Sequence, residues 1–595
     1  MRWTSALVKP LSRQENSTAK TLTGDERDRR VLELYEQVIE IEQRLIPTGL
    51  HVFGRAPKDA ARADMLRMVA SFDRPEANTR SLPDLVAEGL GLPAYVELIS
   101  ESKQSASRLT ERERVEEIVR AAIDLFIGAG PDAATTWLEK TARVGAADSQ
   151  PLWRLLSQIC ENLDTSHELG SLSRALRGQY IEPGPGADIV QNPDILPTGR
   201  NTHAVNPYSI PSTAAYARAE SVVDSLLRRH HAEHSRYPRA MALVLWGLDN
   251  IKTQGEGVAQ ALWLLGVRPV RDDLNRVTNV ETIPLDKLGR PRIDVVMTVS
   301  GIFRDLFAPT IQLLDRAVRT VAVLDEPTDM NFVRLNIDEQ MKTSGSAFDE
   351  AALRVFSNAP GNYGTNVNFM VMDSQWENAE TLGDLFLTRK CFAYGRDGRG
   401  RAVEGFEARS AMERALSRVE ATYQNIDTFE IGITDVDHYF EYLGGVTKAV
   451  EKSSSSRPAV YLSDSLSRDS KIRSLEETVR LETRAKTLNP KWYEGMLKHG
   501  FRGVAEIENH LSNTFGWSAT ADAVDDWIYT EVAETFVLDD EMLDRLRQLN
   551  PHSVRSLVAR LLEAHGRGFW TTEAAILDRL REIFTSLEDQ LEGMA

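Results

Sequence analysis

Three residues with acid–base side chains recur at three-residue intervals in the last third of the sequence. Asp435, His438 and Glu441 lie within the segment FEIGITDVDHYFEYLGG, residues 429–445. On a helix this spacing would place the three side chains on one face, where they would suit proton transfer or a hard metal ion. The same spacing is also common on a solvent-exposed helix, so the spacing alone leaves both interpretations open.

A second group of polar residues lies in residues 180–211, which contain six prolines and three glycines. Glu182, Arg200, Asn201 and His203 alternate there with isoleucine, valine and tyrosine. A flexible linker is typically featureless and rich in serine or charged residues. The mixture seen here favours a rigid loop that forms the wall of a site.

The middle of the chain alternates apolar runs of strand length with helical patterns, which predicts βαβ units and a parallel sheet. The predicted strands are Ala240–Trp246, Arg292–Val299 and Val321–Leu324, and the predicted helices are Val258–Leu265 and Ile302–Ala317. Gly247–Gly257 and Ser300–Gly301 are predicted as the intervening loops. Ligands of such folds bind at the carboxyl ends of the strands.

Polar side chains follow each of the first two predicted strands: Asp249, Asn250, Lys252, Glu256, Ser300, Arg304 and Asp305. The Gly247–Gly257 loop matches neither G-x-G-x-x-G nor G-x-x-x-x-G-K-[ST], so it gives no reason to expect a nucleotide cradle. Capping of the following helix would explain its acidic residues equally well.

The predicted fold class is α/β, a multidomain protein with a Rossmann-like parallel α/β unit flanked by large helical domains. We predict a loose tail over residues 1–24 and a mainly helical domain over 25–180. A proline- and glycine-rich loop with a helix, residues 181–239, is expected to form a site wall. An α/β domain over 240–400, including an asparagine- and glycine-rich loop at 354–368, precedes a mainly helical C-terminal domain over 401–595.

Composition excludes several functional classes. A length of 595 residues suits about three or four domains, and a net charge of -18 disfavours a general nucleic-acid binder. The two cysteines, Cys160 and Cys391, form no CxxC pair, which disfavours a disulfide framework or a thiolate metal site and fits a reducing cytosol. The sequence contains no run of 18 apolar residues, so no transmembrane segment is expected.

Several long blocks resemble the large H subunit of magnesium chelatase and its cobaltochelatase relative. They are AMALVLWGLDNIKTQGEGVAQALWLLGVRPV, GRPRIDVVMTVSGIFRDLF, GRNTHAVNPYSIP and LNPKWYEGML. RVFSNAPGNYGTNVN, DVDHYFEYLGG and GWSAT favour the magnesium branch. The resemblance runs from about Leu32 to the C-terminus and corresponds to the C-terminal half of the family subunit.

The resemblance implies a subunit that binds protoporphyrin IX and inserts Mg²⁺, both as substrates, at the first committed step of chlorophyll or bacteriochlorophyll synthesis. ATP would be hydrolysed by separate AAA+ partners, the I and D subunits, which agrees with the missing phosphate loop. A cytoplasmic location, or one peripheral to photosynthetic membranes, is expected. The family's N-terminal glutamate-bearing block is not found here, so a separate N-terminal half is an expected partner, as is the downstream methyltransferase.

Metal insertion removes two pyrrole N–H protons and delivers Mg²⁺, which prefers oxygen ligands. Under the resemblance, the predicted catalytic residues are His203, Asp435, His438 and Glu441, and the predicted metal ligands are Glu182 and Glu441. The predicted porphyrin-binding residues are Arg200, Asn201, Asp249, Lys252, Glu256, Ser300, Arg304 and Asp305, with the cations facing the propionates. Tyr208, Trp246 and Phe303 are expected as apolar walls.

Two other functions remain open at this point. The chain would be a non-catalytic porphyrin-binding or docking module if the absent glutamate block is essential. It would be a cobaltochelatase-like subunit if its ring is a corrin.

Overall fold

The structure is a computed structural model that describes residues 49–594, except 75–76, 103–104, 187, 191, 204, 397–401, 429 and 465–470, together with Gly24, Ile41, Ile46 and Pro47. Apart from Gly24, the predicted tail of residues 1–24 lies outside the described residues. The chain divides into two compact units. The first comprises residues 1–203 and 483–504, and the second comprises 204–482 and 505–595.

The first unit is mainly helical. Its apolar residues recur at helical spacing, and the rings of Phe126 and Trp153 stack 5.2 Å apart between two of its helices. Strands β1 (Pro183–Pro185) and β2 (Asn201–His203) form a small parallel pair. The helices are Asp59–Ala70, Leu82–Gly89, Tyr95–Ser102, Ala106–Ala129, Pro131–Ala142, Ala146–Asp164, Glu168–Leu176 and Pro490–Leu497, with a 3₁₀ turn at Pro193–Ile195 and a π-helical segment at Thr483–Thr487.

The second unit is built on an eight-stranded sheet. Its strands are β3 (Ala240–Leu245), β6 (Asp294–Val299), β7 (Val355–Ser357), β8 (Phe392–Arg396), β9 (Ala402–Glu407), β10 (Ala421–Ile426), β11 (Ala459–Asp464) and β12 (Ile472–Ser474). They lie in the order β12-β11-β10-β3-β6-β7-β8-β9. The five strands from β11 to β7 are parallel, and antiparallel strands complete both edges. Strands β4 (Val267–Arg271) and β5 (Val277–Thr282) form a separate hairpin.

In each of the strands β3, β6 and β10 all six residues are buried, so helices cover both faces of the sheet at its centre. The helices of this unit are Thr213–His234, Gly247–Lys252, Glu256–Leu265, Leu285–Leu288, Gly301–Leu306, Ala308–Ala322, Phe332–Ser344, Phe348–Ala351, Val367–Met372, Ala379–Lys390, Arg409–Leu416, Asp437–Tyr439, Gly445–Ser454, Leu475–Glu482, Asp526–Phe536, Asp540–Leu549, Pro551–Gly566 and Ala574–Leu591. Phe440–Gly444 is π-helical, and residues 505–521 belong to the helix Phe501–Ala521.

The predicted α/β class, with a parallel sheet and large helical regions, is confirmed. Two local predictions are wrong. Val321–Leu324 is not a strand, because the helix Ala308–Ala322 extends into it, and the next parallel strand is β7 within the predicted loop 354–368. The Gly247–Gly257 loop contains the short helix Gly247–Lys252. The predicted division at residue 400 also differs from the structure, since β9 to β12 follow it and belong to the same sheet.

A buried ion pair joins two of the parallel strands. Arg354, immediately before β7, donates from Nε and Nη2 to the two carboxylate oxygens of Asp294 on β6, both at 2.9 Å. Asn336 donates to the same carboxylate at 3.0 Å. Both charged side chains are almost fully buried.

Arg354→Ala is expected to destabilise the second unit by about 3–5 kcal/mol, because it leaves the Asp294 carboxylate buried without its partner. Urea unfolding followed by tryptophan fluorescence measures the change. Arg414→Ala, which breaks an exposed pair with Glu350, is the matched control and should cost about 0–1 kcal/mol. Equal effects of the two substitutions would contradict the structural role of the buried pair.

Candidate functional site

The candidate site lies where the strand order of the sheet reverses. The chain enters the sheet at β3, adds strands on one side as far as β9, and then returns to β10 on the other side of β3. Loops that follow β3 and β10 diverge at such a point and leave a crevice at the carboxyl ends of the strands. A cavity of about 590 Å³ occupies this position.

The cavity wall combines aromatic and aliphatic side chains. Trp246, directly after β3, packs its ring 4.4 Å from that of Tyr442 and 6.1 Å from that of Tyr439. Leu248 and Ile302 also line the cavity and are partly exposed, at 52% and 40%. These side chains form a surface suited to a flat apolar ligand. The predicted wall residue Trp246 lies here, whereas Phe303 and Tyr208 are not among the lining residues.

His438 and Glu441 form a hydrogen-bonded pair in the cavity. His438 Nδ1 lies 2.9 Å from Glu441 Oε2. The His438 side chain is 64% exposed and that of Glu441 only 1%. The two residues are therefore in contact, as their spacing predicts. The buried Glu441 carboxylate holds the accessible His438 imidazole at the wall of the cavity.

Glu441 is held by the asparagine- and glycine-rich loop that follows β7. Its Oε1 accepts hydrogen bonds from the backbone N–H of Thr365 at 2.5 Å, the Thr365 hydroxyl at 3.0 Å and the Asn366 N–H at 3.0 Å. A Cβ on Gly364 would lie 3.1 Å from the same oxygen, so glycine permits the close approach of the loop. Both carboxylate oxygens are thus engaged in positioning rather than left open.

These contacts set the electrostatics of the pair. Burial alone would raise the pKa of Glu441, but the hydrogen bond and charge of His438 and the donors of Thr365 hold it below its ordinary value. The hydrogen bond that His438 donates to Glu441 raises the pKa of His438, against the opposing effect of burial. A histidine with a raised pKa is a stronger proton acceptor.

Asp435 does not join this pair, so the predicted cluster of three is wrong for this residue. It precedes the helix Asp437–Tyr439, and its Oδ1 lies 2.9 Å from His510 Nε2. Its other oxygen accepts from the Gly432 N–H at 2.5 Å. Helical spacing does not apply because the backbone at residues 432–435 is a turn.

Asp249, Lys252 and Asp427 form a second polar group in the cavity. Lys252 Nζ donates to Asp427 Oδ2 at 2.8 Å, and Tyr439 donates to Asp427 Oδ1 at 3.3 Å. Asp249 is almost fully buried, with Asn425 Nδ2 3.4 Å from its Oδ2. Burial and the charges of Asp427 and Glu256 raise the pKa of Asp249 well above its ordinary value.

The remaining predicted porphyrin-binding residues of the second unit make internal contacts. Glu256 is buried and accepts from Arg218 at 3.3 Å. Ser300 lines the cavity, but its hydroxyl accepts from the N–H groups of Gly247 and Phe303. Arg304 donates to Asp305 and to backbone oxygens of Asn358, Ala359 and Asn362, so it braces the loop after β7. Asp305 also accepts from the Tyr363 hydroxyl at 2.8 Å.

Glu182, Arg200, Asn201 and His203 belong to the first unit, on or beside the β1–β2 pair. Glu182 and Arg200 are exposed, and the Asn201 N–H donates to the Glu182 carbonyl at 3.1 Å. The His203 side chain lies outside the described part of the structure. The two predicted metal ligands, Glu182 and Glu441, thus lie in different units, and the described residues contain no group of three or more metal-ligating side chains.

Sequence reasoning missed Asp427, Tyr439, Tyr442 and Lys390. Lys390 is fully buried beside the pocket, donates to Val299 and Asn358 oxygens at 2.8 and 3.0 Å, and lies 4.2 Å from the centre of the Tyr442 ring. Burial lowers its pKa well below the ordinary value. The acidic residue Asp427 follows the strand Ala421–Ile426, but the sequence of that strand, ATYQNI, contains three polar residues and therefore gave no apolar run to mark a strand end.

Residues 4–577 match the model of the family described as CobN/Magnesium Chelatase. The chain is 44% identical to the magnesium-chelatase subunit ChlH of rice (Oryza sativa subsp. indica) over 96% of its own length and 43% of the rice protein. It is 32% identical to the aerobic cobaltochelatase subunit CobN of Sinorhizobium sp, over 92% of the chain and 45% of that protein. The chain spans less than half the length of these relatives.

A solved structure shares the fold. The catalytic subunit of cobaltochelatase from Mycobacterium tuberculosis matches with a TM-score of 0.86 and 32% identity, over 95% of this chain and 47% of that one. No described helix has both the length and the apolar character needed to cross a membrane.

The raised pKa of His438 depends on Glu441, so Glu441→Gln should lower the His438 titration midpoint. The measurement is an NMR pH titration of the protein labelled with ¹³C at histidine Cε1, with His438 assigned by its substitution. Glu451→Gln, which removes a carboxylate paired with Lys448 away from the cavity, is the control and should leave the midpoint unchanged. An unchanged midpoint in Glu441→Gln would contradict the described pair.

Proposed function

The chain belongs to the CobN/Magnesium Chelatase family, and we propose that it forms the tetrapyrrole-binding portion of the large subunit of a magnesium chelatase. Protoporphyrin IX and Mg²⁺ are the proposed substrates, and AAA+ partner subunits hydrolyse the ATP. The observation that carries the proposal is the cavity at the strand-order reversal, which combines an aromatic wall with the His438–Glu441 pair.

The size and lining of the cavity support a flat ring as its ligand. A volume of about 590 Å³ lies within the range of about 300–1,000 Å³ that small-molecule sites occupy. Trp246, Tyr439 and Tyr442 offer rings for stacking, and Leu248 and Ile302 offer apolar surface that is exposed without a ligand. Covering these side chains with a porphyrin would contribute favourable free energy.

His438 is the proposed proton acceptor. When the Nδ1–H of His438 donates its hydrogen bond to Glu441, the lone pair of Nε2 is available to take a proton from a pyrrole N–H. The electrons of that N–H bond remain on nitrogen, which can then bind the incoming metal ion. Glu441 acts as a positioning residue, since its oxygens are occupied by His438, Thr365 and Asn366.

The magnesium assignment follows the more similar relatives. Identity is 44% to the rice magnesium-chelatase protein and 38% to the corresponding magnesium-chelatase protein of Chlorobaculum parvum, against 32% to the Sinorhizobium cobaltochelatase protein. The cobaltochelatase structure at a TM-score of 0.86 favours a corrin ring as the second candidate. Parallel binding titrations with a porphyrin and with hydrogenobyrinate distinguish the two, since preference for the corrin would overturn the magnesium proposal.

Because the chain spans less than half of its relatives, metal insertion is proposed for the complex that also contains the remaining region and the AAA+ subunits. A non-catalytic porphyrin-binding or docking role is the alternative within the family. Adding the remaining region of a relative in trans distinguishes the two roles. Magnesium insertion should be restored only if the chain contributes to insertion, and not if it only binds or docks.

The folded chain is expected to bind deuteroporphyrin, a soluble protoporphyrin analogue, saturably in a fluorescence-quenching titration. Leu248→Asp or Ile302→Asp should weaken this binding roughly ten- to a hundredfold, because apolar contact with the ring contributes about 1.5–3 kcal/mol per side chain. Leu274→Asp is the control, since Leu274 is 72% exposed and does not line the cavity. Absence of binding to the folded wild-type chain would overturn the assignment of the pocket.

His438→Gln is expected to keep deuteroporphyrin binding within about threefold while slowing magnesium insertion by roughly 10²-fold or more, the contribution typical of a positioned base. Insertion is measured with the complete set of chelatase components. The fluorescence of the magnesium porphyrin gives the rate. An unchanged rate in His438→Gln would rule out His438 as the acceptor even if binding places the ring in the cavity.

A further inference from the structure

The cavity carries a second set of ionisable groups besides His438 and Glu441. Asp249 follows β3 on the helix Gly247–Lys252, and Asp427 directly follows β10. The two strands are adjacent and parallel at the strand-order reversal. Both residues line the same cavity, so the reversal brings together two carboxyl groups from distant parts of the sequence.

Asp249 has an unusual environment for a carboxyl group. Its side chain is about 3% exposed, and its Oδ1 has no hydrogen-bond partner among the residues that the structure describes. Oδ2 lies 3.4 Å from Asn425 Nδ2. A buried polar atom without a partner costs free energy, and a group lining a cavity recovers that cost when a ligand supplies the missing partner.

The groups around Asp249 favour its neutral, protonated form. Burial has the largest effect, and the charges of Asp427 and Glu256 act in the same direction, while Asn425 and Lys252 oppose them. A protonated carboxyl group has an O–H to donate, and the described contacts of Asp249 include no acceptor for it.

Asp427 has the complementary character. Its Oδ2 is paired with Lys252 Nζ at 2.8 Å, and its side chain remains 12% exposed at the cavity. Its Oδ1 lies 3.3 Å from the Tyr439 hydroxyl. An ion-paired carboxylate of this kind accepts hydrogen bonds and has no proton to donate.

A free-base tetrapyrrole presents both kinds of partner at its centre, two N–H donors and two nitrogens with lone pairs. We propose that Asp249 and Asp427 form a second proton-handling pair of the tetrapyrrole site, in which Asp249 donates to an unprotonated ring nitrogen and Asp427 accepts a proton from a ring N–H. This inference rests on the proposed function. It gives the second of the two departing protons an acceptor, while His438 takes the first.

The proton transfer balances without another reactant. The ring N–H bond breaks, its electron pair stays on nitrogen for the metal ion, and a new O–H bond forms on Asp427. Lys252 then faces a neutral carboxyl group, which weakens its ion pair and leaves the proton exchangeable with solvent. Asp249 keeps its own proton, and its hydrogen bond to the ring nitrogen breaks when the lone pair of that nitrogen binds the metal ion.

Substitutions that separate donor from acceptor test the proposal in the full chain. Asp249→Asn keeps a donor at the same place and should bind deuteroporphyrin within about threefold of the wild type, whereas Asp249→Leu removes the donor and should weaken binding roughly tenfold. Asp427→Asn should retain binding but slow magnesium insertion by roughly 10²-fold in the complete system. Asp272→Asn, on the β4–β5 hairpin and paired with Arg276, is the matched control.

The pH profile of binding separates a proton-donating role from a structural one. The protonated form of Asp249 binds the ring, so wild-type affinity should be full below the raised pKa of Asp249 and fall as the pH rises through it. Asp249→Asn should remove that fall. A profile identical in the wild type and Asp249→Asn would overturn the donor role.

The remaining outcomes are equally distinct. Normal binding and insertion in both Asp249→Leu and Asp427→Asn, with weakened binding in Leu248→Asp, would overturn this inference and leave the proposed function in place. Slow insertion in Asp427→Asn that is restored by raising the Mg²⁺ concentration would assign Asp427 to metal delivery and overturn its role as proton acceptor. Failure of the wild-type chain to bind the porphyrin would instead remove the proposed function itself.

Discussion

Parallel strands bring all their carboxyl ends to one edge of a sheet, and the candidate site depends on this constraint. The reversal of strand order between β3 and β10 then separates the loops that follow them. Trp246, Asp249 and Lys252 reach the crevice from one side of that reversal, and Asp427 reaches it from the other. The site therefore draws its side chains from segments far apart in the sequence. These four residues follow strand ends closely, whereas His438 and Glu441 lie beyond the turn at residues 432–435.

A buried carboxylate requires several donors, and this requirement organises the loop after β7. Glu441 is inaccessible to water, so the N–H groups of Thr365 and Asn366 and the ring of His438 replace its hydration. Arg304 in turn holds the preceding part of the loop through three backbone oxygens. Arg304 therefore holds the loop, the loop holds the Glu441 carboxylate, and Glu441 holds the His438 imidazole. These contacts fix the direction in which His438 faces the cavity.

The C-terminal helices also support the site through the turn at residues 432–435. Glu482 accepts from the N–H groups of Ile433 and Thr434 at 2.8 and 2.9 Å. Asn513 and Trp517, on the helix that ends at Ala521, donate to carbonyl oxygens of the same turn. Asp435 belongs to this structural group with His510. Asp435 is close to His438 in sequence, but its described contacts lie within the turn and with His510.

Much of the central architecture was readable from local patterns. Runs rich in apolar residues identified β3 and β6, and Gly266 ended the helix Glu256–Leu265 in a left-handed conformation. The helical spacing of His438 and Glu441 predicted their contact. These features depend on residues close in sequence, where periodicity and backbone conformation determine the structure. The functional prediction rested on long sequence blocks that resemble the chelatase family. Each block is a contiguous segment, so it could be recognised without the tertiary structure.

Only the tertiary structure decided which separate segments meet. Asp427 could not be paired with Asp249 and Lys252 from the sequence, because their proximity follows from β10 lying beside β3 rather than from spacing. For the same reason the sequence could not show the internal contacts of Arg304 and Glu256, since loops and helices remote in sequence supply their partners. The sequence by itself indicated the ends of β3 and β6 and the polar residues that follow them. The order of strands determined which of those residues share a cavity, because hydrogen bonding between strands is a long-range choice that no local pattern encodes.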